Sequence, residues 1–327
     1  MRYADIDQPS ITRRRYRRRW VYLDADGSRI EDATEIERLD AIGLPPAYTD
    51  AWFAPDPDVH ILATGFDAKG RKQYVYHPEY VAQRDARKFD GCAGFGRLLP
   101  RIRARVAQDL TKRTLSRERA IASVVKLLDS GQIRVGNESY ARANRSFGAT
   151  TLRQRHARLE GNRLALRFRA KSGRLCALNV TDRGLVRFVK QVQDLPGQHL
   201  FQYRGEDGEF HPVSSTDVNA YIRETMGEEY TAKDFRTWAA SVLAFEWLRK
   251  AGETGKLREM LTHVAEHLGN TPAVARKSYV HPALIEAVRS GDRSGLPERL
   301  PRRTRWLSAA ERGLIDFLDL QGGCRSS

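Results

Sequence analysis

Short apolar runs bounded by turn residues mark the first ~90 residues, whereas beyond them apolar positions recur every three or four residues. Trp20-Val21-Tyr22-Leu23 followed by Asp24-Ala25-Asp26-Gly27 predicts a strand and a turn. His60 to Phe66, a turn at Asp67 to Gly70, and Arg71 to Tyr76 predict a hairpin. Alternation then puts Lys72, Tyr74 and Tyr76 on one face of its second strand. Gly91, Gly94 and Gly96 predict a hinge over 91–97. Helical spacing follows over Leu98 to Leu115 and Arg117 to Ser130. From Asn162 to Val180 the period drops to two: Leu164, Leu166 and Phe168 alternate with Arg163, Arg167 and Arg169, and Lys171 falls at the tip of a hairpin. Helices resume over Thr181 to Asp194 and Thr216 to Met226. Thr231 with Asp234 caps a long helix to about Lys250, Thr271-Pro272 opens one through Tyr279, and Ser308 with Glu311 starts the last. The expectation is an α+β chain with a β-rich domain over 1–90, a hinge over 91–97 and a mainly α-helical domain over 98–327 that contains a β-hairpin.

Length agrees with two domains, since 327 residues at about 150 per domain allow each its own core. No apolar run approaches the ~18 to 20 residues of a membrane span, and the arginines between Arg13 and Arg19 are not followed by the apolar stretch of a secretory signal. Cys92, Cys176 and Cys324 are far apart without a C-x-x-C, which speaks against a disulfide scaffold and fits a reducing cytoplasm.

Charge sharpens the picture. The net charge is +15, yet residues 1–90 hold 15 basic and 16 acidic side chains, while residues 91–327 hold 41 and 25. A strongly basic helical domain suits a polyanion bound through phosphate neutralisation; a merely soluble basic surface is the plainer alternative.

Two familiar signatures fail on inspection. Gly65 to Lys72 approximates a phosphate-binding loop, but Arg71 and Lys72 stand where Lys and Ser/Thr belong, and a hairpin turn accounts for its glycines. His263 to His267 matches H-x-x-E-H, with no well-placed later carboxylate to complete a zinc site. Neither a metal nor a cofactor is expected.

Chemistry on a phosphodiester without metal needs fixed cations around the non-bridging oxygens, a nucleophile in line, and an acid for the leaving oxygen. The helical domain supplies Ile133-Arg134-Val135-Gly136, Gly148 to Leu152, Lys171, Lys233-Asp234-Phe235-Arg236-Thr237, and Leu268-Gly269-Asn270-Thr271-Pro272 ahead of Tyr279. In this order, and with Gly70 to Tyr76 in the first domain, these segments resemble the type IB DNA topoisomerases of the bacterial and poxvirus kind over roughly residues 15 to 290.

The resemblance implies a tyrosine recombinase/type IB topoisomerase catalytic fold and a monomer that closes around double-stranded DNA in the cytoplasm, at the nucleoid. It implies that Tyr279 attacks a DNA phosphate to give a 3′-phosphotyrosine, that Arg134 and Arg236 hold the non-bridging oxygens, and that Lys171 protonates the 5′-oxygen. Asn270 stands where poxvirus-like members carry histidine; it can donate a hydrogen bond but brings no charge. Gln73, Tyr74 and Tyr76 would lie against DNA, with Tyr140 and Lys233 as further contacts. A tyrosine recombinase shares the nucleophile and cations, but usually has histidine where this chain has Lys233 and a helical first domain. A non-enzymatic basic DNA-binding protein would need neither Tyr279 nor Lys171.

Overall fold

The computed structural model describes residues 1–323 apart from 18, 69, 88, 194 and 228. Arg18 of the arginine run, Lys69 of the hairpin turn, Asp194 at an expected helix end, and Cys324 with the rest of 324–327 lie outside the described residues. The chain divides into two units, Met1–Lys88 and Phe89–Ser327.

The first unit is an antiparallel sheet. Its strands β1 (Ile11–Tyr16), β2 (Arg19–Leu23), β3 (Thr49–Phe53), β4 (Ile61–Phe66) and β5 (Lys72–Tyr76) are ordered β2-β1-β3-β4-β5. Helix α1 (Ala33–Ala41) begins at Asp32, whose carboxylate accepts from the Thr34 N–H at 2.9 Å. Leu39 of α1 packs with Ile11, Tyr22, Leu44, Phe53 and Ala63 on one face of the sheet. Helix α2 (Pro78–Arg87) follows β5. The turn that resembled a phosphate loop joins β4 to β5: the Gly70 N–H donates to the Asp67 carbonyl at 2.8 Å, and Gly70 has φ +69°, which favours glycine. Tyr74 and Tyr76 share a face, their rings stacked 6.0 Å apart.

In the second unit, helices α3 (Cys92–Asp109), α4 (Arg117–Gly131) and α5 (Glu138–Asn144) precede a sheet of β6 (Ala157–Glu160), β7 (Arg163–Arg169) and β8 (Leu175–Val180). Helix α6 (Arg183–Val192) and the hairpin β9 (Gln202–Arg204) and β10 (Phe210–Pro212) follow. The remaining helices are α7 (Ser215–Met226), α8 (Ala232–Ala251), α9 (Leu257–Leu268), α10 (Pro272–Ser278), α11 (Pro282–Ser290) and α12 (Ala309–Gly323). The alternation in β7 resolves as expected: Leu164, Leu166 and Phe168 are buried in the main core while Arg163, Arg167 and Arg169 are exposed.

The glycines read as a hinge over 91–97 are not a connector. Gly91 is the N-cap of α3, and Gly94 and Gly96 lie in its first turns. A Cβ on Gly96 would run into the Trp238 ring, so glycine there serves the close approach of α8 to α3 rather than flexion. Among the described residues no helix is long and apolar enough to cross a membrane.

Candidate active site

Four segments of the second unit converge on the Tyr279 phenol. The first leaves α4 through Gln132, whose left-handed backbone (φ 52°) turns the chain so that Arg134 follows three residues after the helix. The Arg134 segment is fixed by the one containing Gly148. The Ala149 N–H donates to the Arg134 carbonyl at 2.8 Å, the Thr150 N–H to the Val135 carbonyl at 2.8 Å, and the Gly148 N–H to Thr151 Oγ1 at 2.9 Å. This pairing explains why the two motifs occur together. A Cβ on Gly148 would stand 2.6 Å from the Arg134 carbonyl oxygen and from the Gly136 Cα, both backbone atoms that cannot step aside. Gly148→Ala is therefore expected to lower Tm by several degrees and DNA cleavage by at least about tenfold, because it moves the Arg134 backbone itself. A variant with unchanged Tm and cleavage would show that this crossing is looser than the geometry says.

The third segment opens α8. Thr231 and Asp234 cap it reciprocally, with the Thr231 N–H 2.8 Å from Asp234 Oδ2, and the helix then points Arg236 inward. Arg236 is only 4% exposed. Its Nη1 donates to the Gln132 carbonyl and its Nη2 to the Leu268 carbonyl at 3.0 Å, tying the ends of α4 and α9 together. The guanidinium lies over the Tyr279 ring, 5.0 Å from its centroid.

The fourth segment runs from Asn270 to Tyr279. Gly269 ends α9 at φ 61°, and the Asn270 N–H returns to the Ala265 carbonyl at 2.8 Å. Thr271 caps α10, Pro272 takes its first turn, and Tyr279 is its C-cap, half-buried. Asn270 Oδ1 accepts from Arg134 Nη2 at 2.6 Å. A guanidinium only donates, so the amide must present its oxygen to Arg134. The Asn270 NH2 group is then left buried with no acceptor among the described residues.

The electrostatics are unusual for an interior. Neither Arg134 nor Arg236 has a carboxylate partner among the described residues. Burial, and then the charge of Arg134, lower the Arg236 pKa from its usual value. A buried cation without a counter-anion is costly, and the deficit here is met by backbone carbonyls, the Asn270 amide oxygen and the Tyr279 phenol. Burial pushes the Tyr279 phenol up, but the charge and hydrogen bonding of Arg236 and then Arg134 more than reverse this, so it falls below the ordinary tyrosine value of 10.0. The site favours an anion at the phenol and has room in its hydrogen bonding for the oxygens of another.

Lys171 is placed differently. It sits exposed at the β7–β8 tip, in a turn closed by the Ala170 N–H to the Arg174 carbonyl (2.7 Å) and by Ser172 and Gly173 in left-handed conformation. Its ammonium makes no hydrogen bond or ion pair among the described residues. The hairpin is nevertheless tied to the site: Arg174 Nη1 donates to the Asn270 backbone carbonyl at 2.6 Å. Sequence reasoning passed over Arg174, and its position three residues after Lys171 was the one signal available.

The other residues singled out from the sequence are spread more widely. Lys233 is exposed on the first turn of α8, and Tyr140 is half-buried on α5. In the first unit, Gln73 points to the opposite face of β5 from Tyr74 and Tyr76, and its amide donates to Asp67 Oδ2 at 3.1 Å. His263 and His267 lie against each other on α9, their rings tilted with centroids 4.4 Å apart. Among the described residues no three His, Cys, Asp or Glu side chains are grouped to hold a metal ion.

Two family models and several known proteins match the chain. The family described as "Eukaryotic DNA topoisomerase I, catalytic core" matches residues 69–292, and "Bacterial DNA topoisomerase IB, N-terminal domain" matches residues 19–67. The DNA topoisomerase 1B of Acanthamoeba polyphaga mimivirus is 32% identical over 276 residues, spanning 80% of this chain and 82% of its own. The DNA topoisomerase 1B of Vaccinia virus (strain Copenhagen) is 21% identical over 269 residues, spanning 79% and 83%.

Proposed function

Since the chain belongs to the type IB DNA topoisomerases, we propose that it relaxes supercoiled DNA through a covalent bond between Tyr279 and a 3′-phosphate. The observation that carries this reading is the pair of guanidiniums, Arg134 and Arg236, beside a phenol of lowered pKa with no carboxylate to neutralise them. A phosphodiester bound there supplies the missing anion.

The Tyr279 oxygen attacks phosphorus in line with the bond to the 5′-oxygen, and the phenolic proton leaves to solvent. As the P–O5′ bond breaks, charge grows on the non-bridging oxygens, where Arg134, Arg236 and the free Asn270 NH2 donate to it. Asn270 thus acts through a neutral hydrogen bond, oriented by Arg134. Lys171 gives the 5′-oxygen its proton, and the exposed hairpin tip reaches the DNA to do so. One phosphodiester replaces another, so resealing by the 5′-hydroxyl needs no ATP. Between the two steps the cut strand swivels about its partner and torsional strain dissipates.

On this reading the domains close around double-stranded DNA as a monomer, and the helical domain shares the tyrosine recombinase fold. Tyr74 and Tyr76 meet the duplex and Tyr140 and Lys233 add contacts, whereas Gln73, on the other face of β5 and bonded to Asp67, stays off it. Acting on DNA, it works in the cytoplasm at the nucleoid on this reading.

The acid step gives the sharpest test. Lys171→Ala is expected to slow cleavage of ordinary DNA by about 10² to 10⁴ and to recover on a substrate with a 5′-bridging sulfur, which departs without a proton. Arg174→Ala should recover in the same way, because losing its bond to Asn270 misplaces the tip that carries Lys171. If Lys171→Ala stays slow on the sulfur substrate, its role as acid is wrong. If only Arg174→Ala stays slow, Arg174 supports the site by packing and not by placing the acid.

A further inference from the structure

The arginine run of the sequence lies before both family matches except for Arg19, where the N-terminal match begins, and the fold puts the run to two uses. Arg13 is turned into the body: Nη1 donates to the Leu44 carbonyl at 2.7 Å, Nη2 to the carbonyls of Pro45 and Tyr48, and the guanidinium stacks 4.6 Å over Trp20. It anchors the base of the β1–β2 hairpin. Arg14, Arg15, Arg17 and Arg19 are exposed, and none has an ion-pair partner among the described residues. This is unexpected in a unit where acids outnumber bases. Its other arginines include Arg2, Arg38 and Arg71, paired with Asp56, Glu35 and Asp67. Arg29, Lys72 and Arg84 are likewise without an ion pair among the described residues, so the hairpin stands out by gathering four such arginines in six positions of chain.

Register shows which way this cluster faces. Leu23 pairs with Thr12, Thr12 with Trp52, Trp52 with Thr64, and Thr64 with Tyr74, a row crossing all five strands. Directly paired residues share a sheet face, and so do residues two apart in a strand. Arg14, Tyr16 and Arg19 therefore lie on the face that carries Tyr74, opposite the α1 core; Arg14 pairs with Val21 and Tyr16 with Arg19. Four strand spacings of about 4.8 Å separate the two ends of the row, roughly 19 Å. Arg14 lies on β1 two residues beyond Thr12 and Arg19 on β2 four residues from Leu23, so at about 3.3 Å per residue they stand roughly 16 and 23 Å from Tyr74, about five to seven base pairs at about 3.4 Å each.

We infer that Arg14 and Arg19, flanking exposed Tyr16, bind backbone phosphates of the same DNA duplex that Tyr74 touches, about half a turn away, and lengthen the footprint of the sheet. The inference rests on the reading that the Tyr74 face meets DNA. The partner is a duplex because two cations fixed on paired strands, with an exposed ring between them, match repeating phosphates on a rigid rod, and because β5 at the other end of the row lies inside the match to the topoisomerase catalytic core.

The test measures affinity of the full-length protein for duplexes of about 14 and about 40 base pairs across a salt series. For Arg14→Ala/Arg19→Ala, the expected result on the longer duplex is a roughly tenfold weaker Kd and a log–log salt slope shallower by about 2, one unit per lost phosphate contact. The duplex of about 14 base pairs is long enough to hold both contacts and should show the same direction of change, and Arg14→Lys/Arg19→Lys should retain the slope on both. A Tyr74→Ala arm separates the two readings. If Tyr74→Ala weakens binding and the double alanine changes neither Kd nor slope, the hairpin contact is refuted while the Tyr74 face stands. If Tyr74→Ala also leaves binding unchanged, the face itself does not meet DNA and the inference falls with it.

Discussion

Tyr279→Phe is expected to abolish covalent capture of DNA, lowering cleavage by a factor on the order of 10⁴ or more, while duplex binding stays salt-sensitive and nearly as tight as before. Phenylalanine keeps the ring under Arg236 and the C-cap of α10, so the loss is confined to the attacking oxygen. Denaturing gels of trapped complexes give the first quantity and a salt titration of binding the second. A Phe variant that still forms a 3′-linked adduct would place the nucleophile elsewhere.

Arg236→Ala is the second large effect, about 10³-fold on the cleavage rate at saturating DNA. Removing one preorganised cation from a water-poor site costs about 10² to 10³, and arginines acting on transferring phosphoryl groups reach more. Two further outcomes follow. Arg236 is the first opposing influence to the burial that raises the Tyr279 phenol, so its loss should move that ionisation upward. Ultraviolet titration of the wild type, with Tyr279→Phe subtracted, is expected to show one tyrosine ionising below the ordinary range, and the signal should disappear from that range in Arg236→Ala. The linkage sign follows: a folded-state value below the unfolded one adds stability as pH rises through the lowered value, and that contribution is lost as pH falls below it. Folding near pH 7 should change much less than catalysis. The carbonyls of Gln132 and Leu268 lose their donor, at about 1 to 3 kcal/mol, but a buried charge without a carboxylate partner is removed with it. Arg236→Lys is expected to recover little, since one ammonium cannot span both carbonyls and still lie over the ring.

The sequence made parts of this site legible and hid others for physical reasons. Local rules served well where one interaction dominates. The alternation in β7 predicts which side chains are buried, the Thr231–Asp234 pair fixes the start of α8, and Thr271-Pro272 fixes the start of α10. The same rules fail where a residue type does something atypical. The arginines of strand β1 mask its period, and only the structure shows the Arg13 Nη atoms bound to loop carbonyls. Helix α9 has an apolar face of Met260, Leu261, Val264, Ala265 and Leu268, yet its histidines drew attention toward metal chemistry. The glycines over 91–97 suggested flexibility, whereas Gly96 is selected by the bulk of Trp238, more than 100 residues away.

For the site, ordered motifs named Arg134, Arg236, Asn270 and Tyr279 across more than 140 residues of chain. No sequence rule shows that Arg236 is buried without a counter-ion, that Arg134 sets the orientation of the Asn270 amide, or that Arg174 joins the Lys171 hairpin to the Asn270 carbonyl. Those are consequences of tertiary contact. They turn a set of residues into an arrangement with a direction of charge.

The central claim is that protein cations alone balance the charge of phosphoryl transfer at Tyr279. Relaxation of supercoiled plasmid by purified protein in EDTA without ATP tests it most directly, run on plasmids of both supercoil signs. The account predicts that both signs relax through intermediate topoisomers and that Tyr279→Phe relaxes neither. Failure in EDTA with recovery on adding magnesium, or relaxation that persists in the Phe variant, would contradict it.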